Sequence, residues 1–215
     1  MMKIQGGEIE LFRLLNHQLS NFFLISDAEK ELLKLFFNET LNKVEFNFKN
    51  QHNKYYWNND ENSGIVLNYF NPYHSAQYTI YLYYYSYIIS QHNKILADKV
   101  YYLNKIMNGC DLYHEVKLPD IFSLDHPVGT VIGRAKIGDF FSFGQNCTVG
   151  NNKGIYPEIG EHVKMTANTM IIGNCKIGNN VTLGAGSVVK DQDVPNNVNI
   201  FGQSPNIIFK AKKNV

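Results

Sequence analysis

Residues 159–189 read IGEHVKMTANTMIIGNCKIGNNVTLGAGSVV, from Ile159 to Val189, and this stretch decides the fold. A large apolar residue returns at every sixth place: Ile159, Met165, Ile171, Ile177, Leu183 and Val189. The same register runs back through Val149, Phe143, Ile137 and Val131, across a gap between Val149 and Ile159 that equals one repeat plus four inserted residues. Leu118 and Leu124 are also six apart and join the series through a one-residue offset. Glycine follows the key residue at Gly138, Gly144, Gly150, Gly160, Gly178 and Gly184. Four places after the key residue stand mostly small side chains, Ala135, Cys147, Thr169, Cys175 and Ser187, with Val163 and Val181 tolerated and Phe141 the clearest misfit.

A helix of 3.6 residues per turn cannot hold a six-residue pattern on one face, and a flat strand needs no glycine every six. A chain that turns a corner every six residues satisfies both constraints. The large residue fills the interior, the small one fits beneath the corner, and glycine tolerates the turn backbone. Three such sides make a coil of about 18 residues, and coils stack at about 4.8 Å, the spacing of neighbouring strands. This predicts a left-handed parallel β-helix. Cys147 and Cys175 fall in the small slot and read as corner fillers, not nucleophiles.

The first half has another grammar. Of the 16 glycines, 12 lie at or beyond Gly129, whereas 13 of the 14 tyrosines lie at or before Tyr113. Glu8 to Phe23 places Ile9, Phe12, Leu15 and Leu19 at helical spacing. Ser26-Asp27-Ala28-Glu29 is a capping box that opens a second helix with Leu32, Leu33, Leu35 and Phe36 on its apolar side. Gln51 to Gly64 is rich in Asn and reads as a loop. Pro72 would start a Tyr-rich helix, and Ile95 to Met107 another. The fold class is α+β: a helical N-terminal domain over 1–108, the β-helix over 109–205, and a solvated C-terminal tail over 206–215.

Composition narrows the function. Lys+Arg is 20 against Asp+Glu 19, a formal charge of +1, and Arg13 and Arg134 are the only arginines. A nucleic-acid binder would carry a basic stripe to displace counterions from phosphate, so that class is excluded. Three cysteines, Cys110, Cys147 and Cys175, without a CxxC pair suit a reducing compartment, and the N-terminus has no apolar signal core; both predict a cytoplasmic protein. Ser75 to Gln91 is uncharged, but it is shorter than the ~20 residues of a membrane span and is rich in interfacial tyrosine. It reads as a buried helix.

Leu124-Asp125-His126-Pro127-Val128-Gly129-Thr130-Val131-Ile132-Gly133 resembles the Asp-His-x-x-Gly-x-x-x-Gly motif of the serine acetyltransferase family. Asp111 precedes His126 by fifteen residues, the spacing of the carboxylate partner of the family's catalytic histidine. Thr148-Val149-Gly150, Ile159-Gly160 and Leu183-Gly184-Ala185-Gly186-Ser187-Val188-Val189 match further. Tyr73-His74-Ser75-Ala76-Gln77 is similar to the family's Phe-His-x-x-Gln-x-Tyr pattern, with Thr79 where the last tyrosine falls. The resemblance covers residues 70 to 205.

The resemblance implies acetyl transfer from acetyl-CoA to a hydroxyl, with no metal. It implies His126 as the general base, because an alcohol must lose its proton as it attacks a thioester and an imidazole titrates near neutrality. Asp111 would orient that ring, Asp125 would contact the acceptor, and a backbone N–H near Gly150 would hold the oxyanion. Ala167, Gly184 and Ala185 match positions where small residues let coenzyme A lie along the coils. It also implies a homotrimer, with a dimer of trimers as a further state the family allows. A metal enzyme on the same scaffold would need three converging histidines, and the coils offer only His126 and His162, with His114 at their edge.

One departure bears on the acceptor. The family carries an Arg-His pair before the proline of the loop after Gly150, suited to a planar carboxylate. Here Ile155 and Tyr156 stand in those places, within Asn151-Asn152-Lys153-Gly154-Ile155-Tyr156-Pro157. Lys153 could contact a carboxylate from a different position. Tyr156 offers an apolar face and a hydroxyl, which suits a sugar ring. The expected acceptor is therefore a sugar, a bacterial surface polysaccharide or its precursor, with L-serine as the alternative.

Overall fold

The computed structural model describes residues 2–51, 53–59 and 66–212. The chain forms two units, Met1–Asn108 and Gly109–Val215. In the first, β1 (Lys3–Ile4) precedes α1 (Gly7–Phe22) and α2 (Asp27–Lys49). A 3-10 turn (Lys54–Tyr56) leads into β2 (Trp57–Asn59) and β3 (Val66–Phe70), and α3 (Ser75–Ser90) and α4 (Lys94–Asn108) follow. β3 is the middle strand of a small sheet, parallel to β1 and antiparallel to β2. The Asn-rich stretch is thus partly strand; its residues 52 and 60–64 lie outside the described residues.

The helices form where the sequence predicts them, with shifted faces. On α1 the buried residues are Leu11, Leu15 and Leu19, while Ile9 is 80% exposed. On α2 the capping box is present, with the Ser26 hydroxyl accepting from the Glu29 amide and the Ser26 amide donating to the Glu29 carboxylate. Its buried side runs through Leu33, Phe37, Leu41, Val44 and Phe48, and Leu35 faces solvent. α3 is buried on nearly every side, as an uncharged helix with no polar face must be. Five of its six tyrosines are core residues, and three have anchored hydroxyls: Tyr85 donates to the Leu33 carbonyl, Tyr78 to Gln18, and Tyr84 accepts from Asn47 at 3.2 Å. Burial pushes the Tyr78, Tyr81 and Tyr85 phenols well above their usual range. Among the described residues no helix is long and apolar enough to cross a membrane.

The second unit is a left-handed parallel β-helix. Its strands are β4 (Asp111–Leu112), β5 (Phe122–Leu124), β6 (Val131–Ile132), β7 (Lys136–Ile137), β8 (Phe141–Phe143), β9 (Thr148–Gly150) and β10 (Glu158–Ile159). They continue as β11 (Lys164–Met165), β12 (Met170–Ile172), β13 (Lys176–Ile177), β14 (Thr182–Leu183), β15 (Val188–Lys190), β16 (Val198–Phe201) and β17 (Ile208–Ala211). Three faces result. Face I stacks β4, β6, β9, β12 and β15; face II stacks β5, β8, β11, β14 and β16; face III stacks β7, β10 and β13.

Pairing register fixes what fills the prism. Leu124, Phe143, Met165, Leu183 and Ile200 align on face II, and Leu112, Ile132, Val149, Ile171 and Val189 on face I. The hexad register errs at one place: Ile132, not Val131, is the interior residue, and Val131 is 42% exposed. The cause is the corner between Leu124 and Ile132, which is longer than the six-residue rule permits. Phe141 is not strained. It pairs with Phe122, the column continues as Val163, Val181 and Val198, and all five are buried, so the interior tapers away from its aromatic end. Cys147 and Cys175 are buried fillers as read from the sequence, and Cys110 joins them.

Residues 206–212 are not a loose tail. β17 turns back and pairs antiparallel with β16, from Val198↔Ala211 to Phe201↔Ile208. Lys212 donates from its ammonium to Asn180 Oδ1 at 2.8 Å. Residues 213–215 lie outside the described residues.

Candidate active site

Two corners of the prism flank face I, and the site residues read from the sequence divide between them. The first corner joins face II to face I. Its successive turns are Asp125–Thr130, Gly144–Cys147, Thr166–Thr169 and Gly184–Ser187, stacked by amide-to-carbonyl bonds from Asn146 to Val128, Asn168 to Gln145 and Gly186 to Ala167 at 2.9–3.0 Å. Asp125, His126, Ala167, Gly184 and Ala185 all belong to this corner.

His126 occupies the left-handed region, with φ 50°, two residues after the end of β5, and Gly129 closes the same turn with φ 76°. Glycine is required at that second position. A Cβ there would collide with the Asn146 side-chain oxygen in the turn above. The His126 and Asp125 side chains are 87% and 90% exposed, and His126 Nε2 lies 3.5 Å from Asp125 Oδ1. A proton acceptor and a carboxylate thus face solvent side by side.

Beneath them the turn is tied down by a buried hydroxyl. Thr130 Oγ1 donates to the Gly144 carbonyl at 2.6 Å and accepts from the Cys147 amide at 3.0 Å. The Gly129 amide donates to Gly109 and the Asp111 amide to Thr130, both at 2.8 Å. Asp111 is therefore one rung from the histidine turn. It pairs with exposed Val131 while its neighbour Leu112 pairs with buried Ile132, so the Asp111 side chain belongs to the outer surface of face I.

The second corner joins face I to face III and carries the four-residue insertion. Gly150 ends β9 opposite Ile172, and its carbonyl accepts from the Gly173 amide at 3.0 Å. Beyond it the chain makes a short projection on which Lys153, Ile155 and Tyr156 are exposed. Within one chain, Lys153 and Tyr156 are thus a face apart from His126. His162, read as an outward residue, is exposed and stacks on Phe140 at 4.3 Å on the third corner, away from both groups.

Sequence reasoning missed the residues that bind the insertion to the coils, Asn152, Gly173 and Asp191. Nothing in a hexad pattern links positions 152 and 191. It also missed Thr130 as a structural hydroxyl, although its place two residues before an interior residue is the small-slot signal.

Comparison with known proteins agrees with the repeat and the fold. Residues 156–191 match the family model described as bacterial transferase hexapeptide (six repeats). The serine acetyltransferase of Staphylococcus epidermidis is 34% identical over 126 residues, covering 56% of this chain and 59% of that protein. That of Synechococcus elongatus is 28% identical over 129 residues, covering 58% and 52%. The chain therefore spans little more than half the length of these curated relatives. The crystal structure of Neisseria gonorrhoeae serine acetyltransferase in complex with serine superposes with a TM-score of 0.62 at 26% identity, over 85% of this chain and 73% of that one. In repeats, fold and relatives, this chain resembles the serine acetyltransferases, and its second unit has the hexapeptide-repeat, left-handed β-helix fold.

Proposed function

We propose that the protein is an acetyl-CoA-dependent O-acetyltransferase whose acceptor is L-serine. The observation that carries this reading is the pairing of His126 Nε2 with Asp125 Oδ1, 3.5 Å apart and open to solvent. An acceptor that bears a hydroxyl and an ammonium a few bonds apart satisfies both groups at once: His126 takes the hydroxyl proton and Asp125 holds the ammonium. A simple sugar hydroxyl would leave Asp125 without a charged partner. The named relatives are serine acetyltransferases, so the sugar expected from Ile155 and Tyr156 gives way to the alternative acceptor.

The chain's own groups account for the chemistry. Bound acetyl-CoA supplies a thioester carbonyl as electrophile. The stacked turns of Ala167, Gly184 and Ala185 carry little side chain, which leaves room for an extended pantetheine arm along the corner that bears His126. His126 removes the acceptor proton as the oxygen attacks, and returns it to the departing thiolate. Asp111 orients the ring and stabilises its charged form. A main-chain N–H holds the oxyanion, and direct transfer requires no covalent enzyme intermediate.

The protein acts as a trimer in this reading. Lys153 and Tyr156 lie on the corner opposite His126, so a second copy is needed for both to line one acceptor site. Val131 and Met170, 42% and 37% exposed on face I between the two corners, give that packing an apolar surface. Three free, buried cysteines fit a reducing cytoplasm.

The test is thiol release from acetyl-CoA with L-serine and, in parallel, with a mixture of bacterial glycans, using wild type and His126→Ala. Turnover on serine that disappears in the variant supports the proposal. Turnover on glycan alone would give the exposed Ile155 and Tyr156 the deciding role and restore the sugar reading.

A further inference from the structure

The projection after Gly150 is a two-residue hairpin. Asn152 and Ile155 exchange both backbone hydrogen bonds at 3.0 Å. Lys153 and Gly154 between them have φ of 51° and 79°, the left-handed pair of a type I′ turn. A hairpin this short has no core of its own and would swing about its base unless something held it.

That hold comes from Asp191, on the second turn above along the same corner. Asp191 Oδ2 accepts from Asn152 Nδ2 at 2.5 Å, and its Oδ1 accepts from the Asn174 amide at 2.9 Å. One carboxylate thus spans an entire intervening turn. It can do so because the residue in between is Gly173, with φ 81°. A Cβ on Gly173 would run into Asp191 Oδ1 and lie 2.7 Å from Asn152 Cβ. Gly173 is a window, and the carboxylate reaches through it. The Asn174 amide and then the Asn152 amide hold the Asp191 carboxyl below the usual range, with Lys190 and Lys153 adding to the effect, so the group stays ionised wherever the enzyme works.

We propose that Asp191 is a positioning residue that sets the pose of the Asn152–Ile155 hairpin, and through it the fit of the acceptor against Lys153 and Tyr156. This rests on the acetyltransferase reading above. Asp191 touches no reacting atom, so its effect belongs in acceptor KM and not in the chemical step.

The test uses the full chain, with Asp191→Ala, Asn152→Asp, and the exchanged pair Asn152→Asp with Asp191→Asn. Hydrogen exchange at the 151–156 amides reports the hairpin independently of activity, and steady-state kinetics with L-serine report its consequence. Loss of a charge-assisted bond predicts that Asp191→Ala speeds exchange there and raises acceptor KM, each by about tenfold, with KM for acetyl-CoA unmoved. Asn152→Asp, which opposes two carboxylates, should do the same, and the exchanged pair should bring both readouts back to within about twofold of wild type. Unchanged exchange in Asp191→Ala overturns the proposal, as does faster exchange with acceptor KM unmoved. A single variant that fails to fold leaves the exchanged pair to decide, by recovery or by its absence. If wild type acetylates no acceptor, the acetyltransferase reading fails, and exchange alone then decides whether Asp191 holds the hairpin.

Discussion

Asp111 and Val131 are direct neighbours across β4 and β6, and both belong to the outer surface of face I. Thr148, Met170 and Val188 continue that column. In the proposed mechanism the carboxylate at its end, one rung from the His126 turn, orients the imidazole. Asp111→Asn should lower kcat by about 100-fold or more while leaving acceptor KM within about twofold. A pH–rate profile checks the assignment: a positioning role for Asp111 predicts that the acid limb moves in Asp111→Asn, whereas a merely structural role leaves it in place.

His126 contributes little to packing, since its side chain is 87% exposed. His126→Ala should therefore keep the thermal midpoint within a degree or two of wild type while losing about 10²–10⁴ in kcat. Asp125→Asn separates the two roles. It should raise KM for L-serine with a smaller change in kcat, and it should hardly affect an acceptor that lacks an ammonium.

Thr130 tests the turn from beneath. Thr130→Val keeps the shape but removes the hydroxyl that serves the Gly144 carbonyl and the Cys147 amide. Two buried backbone groups lose a partner, at a cost of about 1–3 kcal/mol each. Urea unfolding should show the loss, and activity should fall with it because His126 rides on the same turn.

The tapering interior column gives a packing test in both directions. Phe141→Ala should destabilise by about 3–5 kcal/mol, the ordinary penalty for emptying a buried aromatic site. Val163→Phe, one coil above, should destabilise by about 1–3 kcal/mol through overpacking, although the same residue is accommodated at 141. Equal tolerance of phenylalanine at both positions would contradict the taper.

Glu29 and Lys99 make the pH prediction. Burial alone would raise the Glu29 carboxyl, but the Lys99 ammonium at 2.6 Å and the Ser26 amide and hydroxyl outweigh it and hold the group below its usual range. A carboxyl whose pKa is lower folded than unfolded stabilises fully above the unfolded value, and that contribution is lost as pH falls through the folded one. Lys99→Met should lower stability at neutral pH and flatten the acid limb of the stability curve, as urea midpoints at pH 7 and pH 3 would show.

How much of this was legible in the sequence depends on how far each constraint reaches along the chain. Six-residue periodicity is local and repeated, so the β-helix and its buried cysteines could be read from spacing alone. The register slipped at Val131 because the corner holding His126 is longer than its neighbours, and a fixed period cannot absorb that. On α1, spacing allowed either Ile9 or Leu11 as the first buried residue, and only packing chooses. β2 and β3 went unread because their Asn-rich surroundings resemble a loop and the pairing of β3 with β1 spans more than sixty residues. In the site, Asp125 and His126 were legible as a contiguous motif. The hold of Asp191 on Asn152 was not, because it depends on coil stacking, a gap at Gly173 and a side-chain rotamer, none of which leaves a trace in spacing.

β17 runs against β16 where every other rung of face II is parallel. A parallel solenoid has no natural length, since its last coil presents the next one with the same row of donors and acceptors that it received. That open row also recruits other molecules, and exposed strand edges are where fibres begin. By reversing direction, the final strand offers an incoming coil the wrong hydrogen-bond pattern. The reversed strand thus covers the edge that β16 would otherwise leave open on face II.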